Sequence, residues 1–369
     1  MHVGYSPVFQ NLSGELTDQQ VYAQEVRLAD LAEPLGFDSI WTTEHHFTEY
    51  EMIPSPTQFL TYMAGRTTHA KLGTMVIVLP WHDPMRVAEE VAMLDTLSNG
   101  RMILGIGRGL GAIEFEGFRL DMNQSRERFV ECAEALLSGL EQGYVEYNGA
   151  HVQQPRRDIR PAPFRGFRGR TYGAGNSSDS MPIMARLGAG MLVVPQKRWD
   201  EVAEGIRMHR QEWGHVQNGR PWPKSVLVGF CVVDKDAGKA KDMATKYIGR
   251  YYESVIKHYN IGGDHFGNTK GYEQYTAMSN AVKQDAARVT EKFVNLMPWG
   301  TPDQVIEKLH NIDRYIDMGT FIAHFSFAGM PYTQAEQSMR LFASDVLPGL
   351  RDWKAGATPD NAPLPQTAE

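Results

Sequence analysis

Apolar positions along the chain keep two alternating rhythms. Short runs, apolar at nearly every position, are each followed by a stretch in which apolar residues return every three or four positions, the spacing of an amphipathic helix. "HVGYSP" opens as a strand, and residues 18–35 follow as a helix with Val21, Val26, Leu28, Leu31 and Leu35 mostly on one face. "FDSIW" is strand two, "PTQFLTYMAGRT" a helix, and "LGTMVIVLP" strand three. The unbroken apolar run from Met75 to Leu79 predicts burial on both faces, as in a parallel sheet. An Asp-Pro signal starts the next helix, "DPMRVAEEVAMLDTLSNG", which carries Val87, Val91 and Leu94 as its stripe and stops at Asn99-Gly100.

"RMILGIG" is strand four, with residues 123–141 as its helix. Residues 143–169 read as irregular, with a hairpin around "YVEYNGAHV". "RTYGAG", "GMLVV", "KSVLVGFCVVD" and "TFIAHFSFAG" predict strands five to eight, each with a helical stretch behind it. A long helix is expected near residues 236–257. Residues 258–280, polar and rich in Gly and Tyr, read as a mobile loop. Eight alternations without a strong linker predict one (β/α)8, TIM-type barrel with loop insertions over residues 1–353, and a frayed Ala/Pro-rich tail over 354–369. In such a barrel the active site gathers where strands end at their C-termini. "TTEHHF", "RGLGA" and "GNSSDS" follow strands two, four and five, so all three fall on that face.

Charge and composition narrow the partners. A formal net charge of −7 gives no overall attraction to nucleic acid or an anionic membrane. The one basic cluster, residues 156–170, is broken by Pro and Gly and reads as a surface loop. The longest apolar run, "MVIVL", is far below a membrane span, and the N-terminus lacks a signal peptide's pattern. Cys132 and Cys231 are too few for a disulfide framework, which fits a reducing cytoplasm.

Three stretches carry candidate chemistry. In "GIGRGLGA" the glycines let the backbone approach a flat ligand, and Arg108 suits an anion because its fork of donors matches phosphate oxygens. The structural alternative pairs Arg108 with Glu114 or Glu116. "GNSSDSM" places hydroxyls at a strand-to-helix junction, either as a phosphate cradle or as simple N-caps from Ser177, Ser178 or Asp179. "EHH" argues against a metal, because adjacent histidines on an extended chain point to opposite sides and no HExxH or cysteine cluster supports them. General acid–base work by one histidine suits the stretch better, beside a purely structural, hydrogen-bonded role.

Taken in order, "GFDSIWTTEHHFTE", "LGTMVIVLPWHDPMRVAEEVAMLD", "SNGRMILGIGRGL", "DMNQSRERF", "GTPDQVIEKL" and "SDVLP" resemble the bacterial luciferase-like family of flavin-dependent monooxygenases, and within it the alkanal-oxidising subunit. The resemblance implies reduced FMN supplied by a separate NAD(P)H-dependent flavin reductase. It also implies O2 activation through a peroxyflavin, and transfer of one oxygen atom to a small apolar aldehyde, ketone, terpene or aromatic. It assigns His45 as the catalytic histidine, with His46 as a structural neighbour. Arg108, Ser177 and Ser180 fall on the phosphate positions, Asn176 in the flavin pocket, and Met75 and Val76 against the flavin ring. Gly107 replaces a reactive cysteine of luciferase, Asn176 a carboxylate and Pro195 a tryptophan, so light emission and a long-chain aldehyde are not implied. Phe47, Phe115 and Phe118 are expected to make the substrate side apolar, with residues 258–280 as a lid. Family members pair through the helices after strands two and three, so a homodimer is expected. Two alternatives remain: hydride transfer with a deazaflavin, and a non-catalytic flavin-binding subunit.

Overall fold

In the computed structural model, which describes residues 1–175, 177–351 and 353, eight parallel strands close on themselves. They are β1 (His2–Tyr5), β2 (Ser39–Thr42), β3 (Lys71–Thr74), β4 (Met102–Gly107), β5 (Thr171–Ala174), β6 (Gly190–Val193), β7 (Ser225–Phe230) and β8 (Met318–His324). β1 lies between β8 and β2, with Val3 opposite Phe321 and Gly4 opposite Ser39. β3 meets β4 with Leu72 opposite Met102, which closes the ring. The TIM-type barrel expected from the alternation is therefore present. The expected tail, 354–369, and Asn176 lie outside the described residues.

Strands form where apolar runs can be buried from both sides. Every residue of β4, "MILGIG", is buried. The helices start at the signals the sequence carries. Thr17 and Thr301 each make a capping box with Gln20 and Gln304, and Asp83 accepts from the backbone of Met85 and Arg86. Two apolar clusters result. The larger fills the space between barrel and helices. A smaller one, with Trp41, Met75, Ile103, Leu192, Val226, Val228 and Ile322, is carried by the strands. The Trp41 indole needs empty neighbours: a Cβ on Gly73 would stand 2.2 Å from its ring and one on Gly4 2.8 Å.

Two expectations change. Strand three is interrupted: it ends at Thr74 and resumes at Ile77–Val78, beside Ile106 and Gly107, after a cis peptide between Met75 and Val76. Residues 258–280 are not all loop. They hold a short helix, His265–Asn268, and the start of Tyr275–Leu296, a helix the apolar pattern did not reveal because only Ser279, Val282, Phe293 and Val294 are buried. A six-residue helix, Ala112–Gly117, which the sequence reading did not include, follows β4. The hairpin after strand four is present, Tyr144–Asn148 against Gln153–Asp158. Among the described residues no helix is long and apolar enough to cross a membrane.

Closure of the ring leaves no space at one contact, where a Cβ on Gly105 would stand 1.9 Å from the Thr74 carbonyl oxygen. Gly105→Ala is expected to destabilise the fold by about 1–3 kcal/mol, because backbone cannot move aside as a side chain can. Urea denaturation measures this, and an unchanged midpoint would mean that β3 and β4 separate freely at that point.

Candidate active site

The loops at the C-terminal ends of the strands surround one cavity. Thr43, Glu44 and His45 come from the end of β2, Met75 and Val76 from β3, and Gly107 to Leu110 from β4. Gly175, Ser177 and Ser180 follow β5, while Phe230 and His324 end β7 and β8. A further wall comes from Tyr251, Tyr252, Val255 and Tyr259, together with Gln274, Tyr275 and Phe293.

One side is built for an anion. Arg108 lies over the Tyr272 ring, 3.8 Å from its centroid, and its Nη2 donates to the Gly271 carbonyl at 2.9 Å. The neighbouring Arg126 donates to the same oxygen at 3.1 Å and pairs with Asp179 at 2.5 Å. Arg108 Nη1 is buried with no hydrogen-bond partner among the described residues. That is a costly state unless a ligand supplies an acceptor. Ser177 and Ser180 close this side, with their hydroxyls 3.0 Å apart at the start of the helix Ser180–Leu187. A Cβ at Gly107 would stand 2.3 Å from Val76 Cγ2, so the wall has no room for a side chain there. Two convergent guanidinium groups, an orphaned N–H and two hydroxyls fit a phosphate. Neither Glu114 nor Glu116 pairs with Arg108, and Arg126 is a residue that sequence reasoning missed. Its signal was weak, an arginine in the first turn of the helix Ser125–Gln142.

The opposite side is built on buried carboxylates. Glu114 Oε1 receives the His46 backbone N–H at 3.0 Å and faces His45 Nδ1 at 3.0 Å and His258 Nε2 at 3.5 Å. Burial alone would raise the Glu114 pKa, but the charges and hydrogen bonds of His45 and His258 outweigh it and hold it at about 2. Burial likewise pushes His45 down, and Glu114 more than reverses that, leaving His45 above its usual value. His46 turns to Glu44 at 3.2 Å, and Glu44 also meets His82 and the Val78 N–H. His45 therefore borders the cavity while His46 does not.

Beyond His45 the cavity stays polar. Tyr251 donates to Glu51 at 3.0 Å, Thr43 donates to its other oxygen at 2.5 Å, and Tyr50 lies 2.6 Å from Tyr251. Burial raises the Glu51 pKa. His324 pairs through Nδ1 with the Ser6 carbonyl at 3.0 Å, and burial lowers its pKa to about 4. None of Glu51, Tyr251, His258 or His324 stood out in the sequence. The only available hint was a lone histidine inside the apolar run "FIAHF".

The three phenylalanines expected to wall the substrate require a correction, because none of them borders the cavity. The helix Ala112–Gly117 turns Phe115 inward against Trp81, with ring centroids 5.8 Å apart. Phe118 packs on Trp81 and His46, and Phe47, 58% exposed, lies over Phe118. The metal question also returns in altered form. His45 and His46 diverge as alternation required, yet His45, Glu114 and His258 bring three ligand atoms within 4.8 Å of one another.

Comparison with known proteins finds relatives along most of the chain. The family model described as luciferase-like monooxygenase matches residues 1–317. The alkanal monooxygenase alpha chain of Photorhabdus luminescens is 29% identical over 346 residues, covering 92% of this chain and 94% of that one. The oxygenase component of the flavin-dependent trigonelline monooxygenase of Acinetobacter baylyi is 25% identical over 359 residues, 94% of each chain. In fold, the crystal structure of monooxygenase RslO1 from Streptomyces bottropensis superposes with a TM-score of 0.78 at 24% identity, covering 95% of this chain and 100% of that one.

Proposed function

Because the chain belongs to the luciferase-like monooxygenase family, we propose that it is the oxygenase of a two-component system, working on reduced FMN delivered by a separate NAD(P)H-dependent reductase. The observation that carries this reading is the pair of guanidinium groups meeting on one carbonyl oxygen, with Arg108 Nη1 unpaired among the described residues, in a cavity that Ser177 and Ser180 also line. Arg108, Arg126, Ser177 and Ser180 would hold the phosphate. Asn176 is assigned to the same pocket by resemblance. Gly107, Met75 and Val76 would lie against the flat ring, where a larger residue than glycine has no space.

Bound reduced FMN would supply the electrons that activate O2, one atom entering the substrate and the other leaving as water. The chain's own part is to position, to exclude water and to move a proton. His45 Nε2 lies 3.3 Å from the Tyr259 hydroxyl at the cavity wall and is the atom placed to exchange that proton. Tyr259, Gln274 and Tyr275, from the segment expected to be a lid, line the cavity, and their role in this reading is to limit the entry of bulk water. The wall beyond His45 combines aromatic faces with Glu51, Tyr251 and His324. We therefore favour a small organic substrate with an apolar body and at least one hydrogen-bonding group, a narrower class than a purely apolar one. Both cysteines are free and buried, which suits a reducing cytoplasm. A substrate panel with reduced FMN and O2, products identified by mass, tests the reaction. Binding of a deazaflavin without O2 consumption, or no turnover with any reductase, would replace this reading.

Arg108→Ala is expected to weaken reduced-FMN binding by roughly 1.5–3 kcal/mol, about ten- to a hundredfold, because a charge-assisted bond to phosphate is lost. Arg126→Ala should act in the same direction. Anaerobic titration measures both, and unchanged affinity in the two variants would remove the phosphate assignment.

We also propose a homodimer. Tyr62, 52% exposed, Met93, 45% exposed, and Leu97, 58% exposed, lie on the helices Pro56–Ala64 and Pro84–Leu97 that follow β2 and β3. Light scattering at micromolar concentration should give a dimer for the wild type and a monomer for Leu97→Asp. A monomeric wild type contradicts the proposal.

A further inference from the structure

His258 has no role in the reading above, yet it sits beside the one carboxylate that touches His45. It ends the helix Gly249–His258, which follows β7, while Glu114 lies on the short helix after β4 and His45 follows β2. Three separate excursions from the barrel thus converge on one oxygen atom. The side chain of His258 is 2% exposed and that of Glu114 1%. Its ring stacks on Tyr50, with centroids 4.5 Å apart and planes 16° from parallel, and its Nδ1 lies 3.0 Å from the Thr48 hydroxyl.

The donors can be assigned from one fixed point. A backbone N–H can only donate, so Glu114 Oε1 accepts from His46. An ionised carboxylate is an acceptor at every other position too, so the His45 nitrogen 3.0 Å away must carry hydrogen at Nδ1. Neutral His45 then presents a lone pair at Nε2, toward Tyr259 and the cavity. His258 Nε2, 3.5 Å from the same oxygen, makes no hydrogen bond among the described residues, and Glu114 is the acceptor nearest to it; a hydrogen at Nε2, with Nδ1 accepting from Thr48, is the tautomer that faces the carboxylate favourably. The two imidazoles share one negative charge, and each weakens the other's hold on it.

We propose that Glu114 and His258 are positioning residues that set the tautomer and basicity of His45 in opposite directions, Glu114 raising its proton affinity and His258 restraining that rise. The inference rests on the proposed function only for the use His45 makes of its proton. In that step the O–H bond of a substrate or water breaks, an Nε2–H bond forms on His45, and the resulting imidazolium is held against Glu114. Returning the proton reverses the same bonds. The other groups that face His45 are Glu44, Tyr50 and Glu51 from its own loop, and Tyr259 from the residue after the helix. The two carboxylates act in the same direction as Glu114 and remain in every variant below.

The test is made on the protein without flavin, so it stands or falls apart from the flavin assignment. With nitrogen-15 histidine labelling, the His45 signals are assigned by their loss in His45→Gln. Their shifts report which ring nitrogen carries hydrogen, and their pH titration gives the pKa. In the wild type the neutral form should carry hydrogen at Nδ1. Glu114→Gln should lower the His45 pKa by roughly 1–3 units, the usual effect of an adjacent opposite charge. His258→Phe keeps the stack on Tyr50 but removes the N–H, and should raise the His45 pKa. A role limited to packing predicts no such pair of opposite shifts. The proposal is overturned by hydrogen at Nε2 in the wild type. It is equally overturned if both variants shift in one direction or leave the pKa unchanged. Stoichiometric tightly held metal in the purified protein, lost in both variants, would overturn it as well, since the three residues would then be ligands.

Discussion

Three carboxylates are buried at the mouth of the barrel, and the cost of removing a charge from water forces the surrounding groups to answer each of them. Glu44 is met by His46, His82 and the Val78 N–H, Glu114 by His45 and the His46 N–H with His258 3.5 Å away, and Glu51 by two hydroxyls, one of them Tyr251 on the helix after β7. These bonds tie the loop after β2 to the ends of β3 and β4 and to the helix after β7. The loop therefore cannot shift without stripping partners from a buried charge. His45 takes its place and orientation from that constraint.

The same constraint divides the cavity. Arginines and the start of the helix after β5 make the β4–β5 side positive, while the β2 side is dominated by acids and imidazoles. A ligand with a phosphate at one end and a flat ring at the other has one favourable orientation in such a field, and its ring then reaches toward His45. The close approach of Val76 to Gly107, between the two sides, keeps the wall free of bulk where a ring would lie. On the proposed reading, binding and proton chemistry belong to different strands, joined by the barrel that carries both.

The sequence made the barrel legible because each strand is a short apolar run that cannot sit as well in a helix, and each cap or turn signal falls between such runs. It did not reveal the helix Tyr275–Leu296, whose largely exposed surface gives little periodic signal, nor the six-residue helix Ala112–Gly117. That short helix had consequences for the site. It turned Phe115 away from the cavity and presented Glu114 to His45, which spacing alone could not show. Arg108 was legible because glycines and a strand end isolate it. Arg126, Glu51 and His258 were not, since their meaning comes only from contacts with residues distant in the chain. The alternation argument separated His45 from His46 but said nothing of His258, which arrives from the other side of the barrel.

On the proposed reading, affinity and chemistry sit on opposite sides of one cavity. Rapid mixing of His45→Ala, loaded with reduced FMN, against O2 tests it most directly, with flavin oxidation and oxygenated product followed separately. The account predicts near wild-type flavin affinity and a loss of product formation on the order of a hundred- to ten-thousandfold, the range of a general acid–base group. Product formation at the wild-type rate, or a loss explained wholly by weaker flavin binding, would contradict it.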